Sequence, residues 1–175
     1  MFWAAGRGRF GGLPGPDAAT PLDFRIYGLA SITGSGYNAA MADESGKMKI
    51  LLVDDSKLVL DLYALGLSDE LYDKKTATNG REALEIYETW KPNLIVLDIV
   101  MPEMTGYTAL KQIREMEKTN GRQTAIVMAT ALSDKSDIVD CARVGIQGYI
   151  IKPFKHFEIA PRLEAYYSVF KKNQK

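Results

Sequence analysis

Apolar and polar residues alternate in blocks from Met48 onward. Five apolar runs predict β-strands, at about residues 48–53, 73–77, 94–97, 125–129 and 148–151. Most of these runs are rich in Ile, Leu and Val without alternation, which is typical of strands buried on both faces of a parallel sheet. An amphipathic stretch follows each run and predicts a helix. Because sequential parallel strands need right-handed crossovers, the pattern predicts an α/β fold with a doubly wound five-stranded parallel sheet.

Local signals indicate where several of these helices begin. Thr105 and Ser133 are expected to cap the third and fourth helices, because each hydroxyl precedes an amphipathic stretch. Proline inside a helix removes a hydrogen bond, so the last helix either kinks at Pro161 or begins near it after an irregular lead over residues 157–160, and the late start is favoured. The apolar face of the first helix is predicted to consist of Leu58, Leu62 and Leu65.

The first 46 residues differ from the rest and hold nine of the fifteen glycines. They show no sustained period of 2 or 3.6, so they are not expected to bury enough apolar area to offset the entropy of ordering. We therefore interpret residues 1–46 as a flexible extension, either a native arm or a leader foreign to the native protein. Residues 47–171 are predicted to form one domain and 172–175 a short tail, with no effector domain attached.

Composition excludes several classes of partner. The formal net charge is zero, with 22 basic and 22 acidic residues, so no electrostatic footprint for nucleic acid is present. The single cysteine, Cys141, rules out an intramolecular disulfide and fits a reducing cytosol. No apolar stretch approaches the roughly 18 residues that suggest a membrane span. We expect a soluble cytoplasmic protein with no nucleic-acid or membrane partner.

Polar residues stand at the ends of four predicted strands. Asp54 and Asp55 follow the first, Asp98 the third, Thr130 closes the fourth, and Lys152 follows the fifth. Each residue taken alone is compatible with an ordinary turn, cap or solvated lysine. In an open α/β sheet, however, ligands bind at the carboxyl ends of the strands, where these residues would meet. Three carboxylates there would repel one another without a cation, so the pattern indicates Mg²⁺-assisted transfer of a phosphoryl group onto a carboxylate.

Four short segments resemble the receiver domain of two-component response regulators, over about residues 48–171. They are LVDDS at 52–56, DIVMP at 98–102 with Gly106, ATA at 129–131 and GYIIKPF at 148–154. The resemblance implies a flavodoxin-like (βα)5 fold with strand order 2-1-3-4-5. It further implies a stand-alone response regulator.

The resemblance also implies roles for the acidic residues. Asp98 would accept a phosphoryl group from a histidine kinase or a phosphotransfer protein. Asp55 would bind Mg²⁺ directly, Asp54 would assist through water, and the Val100 carbonyl and Asp98 would complete the protein ligands. These roles agree with the preference of Mg²⁺ for hard oxygen ligands.

Signalling residues are implied in the same way. Thr130 and Lys152 would contact the phosphoryl oxygens, and Tyr149 would change position on activation. The fourth helix, fifth strand and fifth helix would then present the output face to a downstream protein. Because Pro161 is expected to alter one edge of that face, we predict a monomer that forms at most a weak dimer on activation.

Two alternatives remain at this stage. A haloacid dehalogenase-type phosphatase also uses a strand-end aspartate and Mg²⁺, but it needs a second acid two residues later, where Val100 stands. A binding module that kept the fold and lost phosphorylation is the other. The sequence does not identify the kinase, the signal or the output, nor does it separate a motor-type binder from a phosphorelay intermediate.

Overall fold

The computed structural model describes residues 46–131 and 135–174. Its centre is a parallel sheet in the order β2-β1-β3-β4-β5. The strands are β1 (Met48–Val53), β2 (Tyr72–Ala77), β3 (Leu94–Asp98), β4 (Ala125–Ala131) and β5 (Gly148–Lys152). The predicted doubly wound α/β class and the strand order 2-1-3-4-5 are both confirmed.

Helices cover both faces of this sheet. They are α1 (Lys57–Gly66), α2 (Gly80–Trp90), α3 (Gly106–Asn120), α4 (Lys135–Val144) and α5 (Ile159–Lys172), and a one-turn 3₁₀ helix (His156–Glu158) precedes α5. One core cluster joins the sheet to α1 and α5, and a second joins it to α2, α3 and α4. None of the helices in the part of the chain that is described is long and apolar enough to cross a bilayer.

The central strands show why their sequences read as continuous apolar runs. In β1, Ile50 and Leu52 belong to the core under α1 and α5, whereas Leu51 and Val53 belong to the opposite core. Successive strand residues point to opposite faces. Because helices cover both faces, all four side chains are fully buried. Every position in this stretch of the strand is therefore apolar.

The predicted apolar face of α1 is wrong. Leu58 and Leu65 are 71% and 68% exposed, while Leu60 and Tyr63 are buried against the sheet. The sequence of α1, KLVLDLYALG, carries apolar residues around most of its circumference. Periodicity therefore does not decide which stripe is buried, and the packing of α1 against β1 and α5 decides it instead.

The helix starts agree better with the sequence. Thr105 caps α3, since its hydroxyl accepts a hydrogen bond from the Thr108 amide at 3.2 Å. Pro161 lies in the first turn of α5, after the irregular 3₁₀ lead, as predicted. Proline is tolerated there because the first amides of a helix have no partner within it. The predicted cap Ser133 lies outside the described residues.

Candidate phosphoryl-acceptor site

The site lies at the carboxyl edge of the sheet, where neighbouring strands deliver one polar residue each. Asp54 follows β1, Asp98 ends β3, Thr130 lies near the end of β4 and Lys152 ends β5. These four strands are adjacent in the sheet. Asp54, Asp98 and Thr130 are buried. Burial is unusual for the two carboxylates unless each has a partner. The predicted gathering of these residues at one edge is therefore present.

Three carboxylates form a cluster at this edge. Asp54, Asp55 and Asp98 each offer an oxygen, and these oxygens lie within 4.8 Å of one another. Asp55 is exposed, so the cluster opens to solvent on one side. Hard oxygen ligands in a group of this size suit Mg²⁺, which commonly binds one or two carboxylates and retains several waters. The donor set therefore fits the predicted ion.

Lys152 supplies the balancing charge. Its Nζ lies 2.6 Å from Oδ2 of Asp54, in an ion pair, and 2.8 Å from Oδ2 of Asp98. Burial opposes the charge on Lys152, but the two carboxylates outweigh it and raise the pKa of the ammonium. Burial, reinforced by the Asp54 charge, raises the pKa of Asp98, although Lys152 and the Val100 amide act in the opposite direction. The ammonium thus holds together two acids that would otherwise repel.

Main-chain contacts fix the acidic side chains in place. Oδ1 of Asp54 accepts a hydrogen bond from the Ser56 amide at 3.0 Å, just before α1 begins. Behind Asp98, the Gly106 amide donates to the Ile99 carbonyl at 3.0 Å. A Cβ atom on Gly106 would lie 1.8 Å from the Asp98 carbonyl oxygen, so only glycine fits there. The first turn of α3 is therefore pressed directly against the end of β3.

The remaining predicted residues lie on β4, on β5 and just after β3. Thr130 pairs with Ile151 in the β-ladder, and its hydroxyl donates to the Ala131 carbonyl at 3.0 Å. Tyr149 is half-buried on β5 and packs against the core under α2, α3 and α4. The Val100 side chain is 62% exposed beside Asp98. Tyr63, a buried tyrosine of α1, was not predicted from the sequence, although the spacing of Leu60, Tyr63 and Leu67 was an available signal.

A family model described as "Response regulator receiver domain" matches residues 50–164. The chain belongs to the response regulator receiver family. This receiver is 38% identical over 117 residues to the alkaline phosphatase synthesis transcriptional regulatory protein PhoP of Bacillus subtilis, covering 67% of the chain and 47% of that protein. It is 37% identical over 119 residues to the probable transcriptional regulator ycf27 of Porphyridium aerugineum, covering 68% and 48%. The chain spans about half the length of the curated relatives it matches.

Solved structures agree with this assignment. The receiver resembles the chemotaxis response regulator CheY4 of Vibrio cholerae, with a TM-score of 0.62 and 30% identity over 69% of the chain and 98% of that protein. The beryllofluoride-activated DrrB receiver domain gives a TM-score of 0.60 with 27% identity, covering 70% and 98%.

Membership of this family narrows the functional alternatives. The chain contains the receiver domain of a two-component response regulator, a signalling fold rather than an enzyme family. The matches give no support to a haloacid dehalogenase-type phosphatase. Several relatives are named transcriptional regulators. The expected lack of a nucleic-acid partner concerns the receiver itself and stays a prediction.

Proposed function

We propose that this receiver accepts a phosphoryl group on Asp98 from a histidine kinase or a phosphotransfer protein. The observation that carries the proposal is the Lys152 ammonium, which lies within 2.8 Å of the carboxylates of both Asp54 and Asp98. A lysine that pairs with Asp98 before the reaction can pair with the phosphoryl oxygens afterwards, as a compact mobile cation. The contact also fixes the orientation of the Asp98 carboxylate before phosphate arrives.

Mg²⁺ would be held by Asp54, Asp55 and Asp98 with the Val100 carbonyl. When bound, it would neutralise charge on the incoming phosphoryl group, whose transfer depends on positioning and electrostatic support. The chain's own residues contribute the nucleophilic carboxylate of Asp98 and the ammonium of Lys152. Thr130 supplies a hydroxyl donor next to Ala129, which pairs with Asp98 in the ladder.

The output is proposed to pass through Thr130 and Tyr149 to the face formed by α4, β5 and α5. A new dianionic group on Asp98 attracts the Thr130 hydroxyl, and the half-buried Tyr149 can respond to that movement, which is a local charge change acting on a bistable element. A downstream protein would then bind this face. We expect the protein to be a monomer that dimerises at most weakly, which sedimentation of the beryllofluoride-treated protein tests.

Labelling with acetyl phosphate and Mg²⁺ tests the phosphoacceptor. We expect one acid-stable, hydroxylamine-labile phosphate on the wild type and none on Asp98→Asn. Asp55→Asn should weaken Mg²⁺ binding, and the exposed acid Asp61, which pairs with Lys57 on α1, provides the matched control Asp61→Asn. Wild-type labelling of Asp98→Asn would refute the assignment. Continuous release of inorganic phosphate would indicate a phosphatase, and no reaction at all would indicate a binding module that lost phosphorylation.

We also propose 47–171 as the limits of the receiver. The family match at 50–164 lies within these limits. Expression of residues 47–171 alone should give a protein that unfolds cooperatively and is labelled at the rate of the full chain. A fragment that is unfolded or unlabelled would show that the limits are too narrow.

A further inference from the structure

A stacked aromatic pair joins α1 to the segment that follows Lys152. The rings of Tyr63 and Phe154 have centroids 4.7 Å apart and planes inclined by 26°. Tyr63 is fully buried, and Phe154 is partly buried against the same core. Phe154 comes two residues after Lys152, and α1 begins three residues after Asp54. The stack therefore links the two chain segments that carry the opposite charges of the site.

A second close contact lies further along the same interface. A Cβ atom on Gly66 would lie 2.2 Å from the carbonyl oxygen of His156. The last turn of α1 is thus in direct contact with the 3₁₀ helix that precedes α5. With contacts at both Phe154 and His156, the segment after β5 has little freedom to move away from α1.

Lys152 depends on such support because of its place in the sheet. It is the last residue of β5, which lies at the edge of the sheet and, of the described strands, pairs with β4 alone. A lysine side chain has high rotamer freedom, yet its Nζ contacts two separate carboxylates at 2.6 and 2.8 Å. The ammonium keeps both ion pairs only if the main chain at Lys152 is held by a second neighbour in addition to β4. The ladder to β4 fixes one side.

Tyr63 contacts Phe154 through its ring and not through its hydroxyl. Among the described residues, the buried Tyr63 hydroxyl has no hydrogen-bond partner. Burial raises the pKa of Tyr63 well above its usual range, and the Asp54 and Asp98 carboxylates add to the effect. The side chain of Tyr63 is thus close enough to the acidic site for the Asp54 and Asp98 charges to affect it. Phenylalanine would keep the stack without the unpaired hydroxyl.

We propose that Tyr63 is a positioning residue for phosphoryl acceptance, whose stack on Phe154 holds Lys152 where it bridges Asp54 and Asp98. This inference rests on the proposed roles of Asp98 and Lys152. It separates the site into two parts. The carboxylates and the Val100 carbonyl would hold Mg²⁺, whereas α1, through Tyr63, sets the position of the Lys152 ammonium and hence the rate of phosphoryl acceptance at saturating Mg²⁺.

The test compares Tyr63→Leu, Tyr63→Phe and the control Tyr87→Leu. Tyr87 matches Tyr63 because it is also buried with an unpaired hydroxyl, but it lies on α2 in the opposite core. For Tyr63→Leu we expect a fall of about tenfold in acetyl-phosphate labelling at saturating Mg²⁺, since small misplacements of positioned groups can cost up to about 100-fold. Its Mg²⁺ affinity should not fall, because the carboxylates that would hold the ion are unchanged and lose a competing cation. Tyr63→Phe and Tyr87→Leu should label at the wild-type rate.

A measurement without Mg²⁺ tests the position of the ammonium directly. The Lys152 side-chain signal in ¹⁵N spectra, assigned by its loss in Lys152→Ala, should broaden or vanish in Tyr63→Leu and persist in Tyr63→Phe and Tyr87→Leu. Phe154→Leu removes the other ring of the stack and should also slow labelling and broaden the Lys152 signal. It takes the place of Tyr63→Leu in the test if Tyr63→Leu does not fold.

Three results would overturn the inference. The first is a Tyr63→Leu or Phe154→Leu protein that keeps the wild-type labelling rate and the Lys152 ammonium signal. The second is a loss of labelling rate in Tyr87→Leu equal to that in Tyr63→Leu. The third is a Tyr63→Phe protein that is labelled as slowly as Tyr63→Leu. Failure of the proposed function looks different, because the wild type itself would not be labelled on Asp98. The ammonium signal would then still decide whether Tyr63 positions Lys152.

Discussion

The hydroxyl of Tyr166 on α5 donates a hydrogen bond to the main-chain carbonyl of Tyr149 on β5, over 3.1 Å. Gly148 makes this contact feasible, because a Cβ atom there would lie 2.3 Å from the Tyr166 ring. The ring therefore lies directly on the strand. Among the described residues, β5 is an edge strand and no other strand pairs with its outer side. The residue proposed to move on activation thus has its main chain tied to α5.

Replacing Tyr166 with phenylalanine should destabilise the protein by about 1 kcal/mol, the usual net worth of one hydrogen bond whose acceptor loses its partner. Urea denaturation measures this, and the ¹³C shift of the Tyr149 carbonyl should move in the same variant. Ser168→Ala is the matched control, because the exposed Ser168 hydroxyl bonds only within α5, to Ala165. An unchanged unfolding midpoint together with an unchanged carbonyl shift would show that the bond contributes nothing.

Asp98→Asn should stabilise the metal-free protein at pH 7, since burial raises the pKa of Asp98 and so disfavours its charged form in the fold. A raised pKa means that the contribution of Asp98 to stability is fully present below its unfolded pKa of about 3.9 and is lost as the pH rises through its folded pKa. The extra stability of Asp98→Asn over the wild type should therefore shrink toward pH 4. Urea unfolding in EDTA measures it, with Asp61→Asn as an exposed control; a less stable Asp98→Asn would contradict the prediction.

The phosphorylated state should be long-lived because the Val100 side chain, exposed beside Asp98, is unable to orient an attacking water. Leu132, two residues after Thr130, is also apolar but lies outside the described residues. Val100→Asn combined with Leu132→Glu should speed the loss of phosphate by more than about threefold, because both new side chains can hold that water in place. The decay of hydroxylamine-labile phosphate measures this. Unchanged or slower decay would count against the explanation.

Cys141 should be unreactive in the folded protein. It is buried in α4, and burial, with the nearby Asp137 and Asp140 charges, raises the pKa of its thiol to about 11. A thiol reagent at pH 8 should react at least about 100-fold faster in urea, because reaction in the fold requires an opening that costs a few kcal/mol. Equal rates would show that the site is open.

The same raised pKa has a consequence for stability. The contribution of the protonated Cys141 thiol is complete below pH 9.0, its ordinary pKa, and is lost as the pH rises to about 11. Comparing the unfolding free energies of the wild type and Cys141→Ala across this range isolates the effect. A constant difference between the two proteins would show that the thiol does not titrate differently in the fold.

The sequence by itself determined the fold class and the members of the acidic site. Apolar runs such as 94–97 have few interpretations, because only a strand covered on both faces buries every residue in turn. The places of Asp54, Asp98 and Lys152 followed, because parallel strands bring their carboxyl ends to one edge. These features depend on chain order and on uninterrupted apolar runs, both of which are properties of the sequence.

Tertiary structure alone decided which faces and partners the side chains use. The apolar surface of α1 buries Leu60 and Tyr63 rather than Leu58, because the packing of the helix, and not its composition, selects the stripe. Arg114 and Glu117 lie three residues apart on α3, a spacing that is also common for exposed ion pairs. In the fold they are ion-paired at 2.7 Å, and Arg114 also donates to the carbonyls of Thr124 and Gly145. Such partners are distant in sequence, and only the packing of α3 against β4 and the end of α4 brings them within reach.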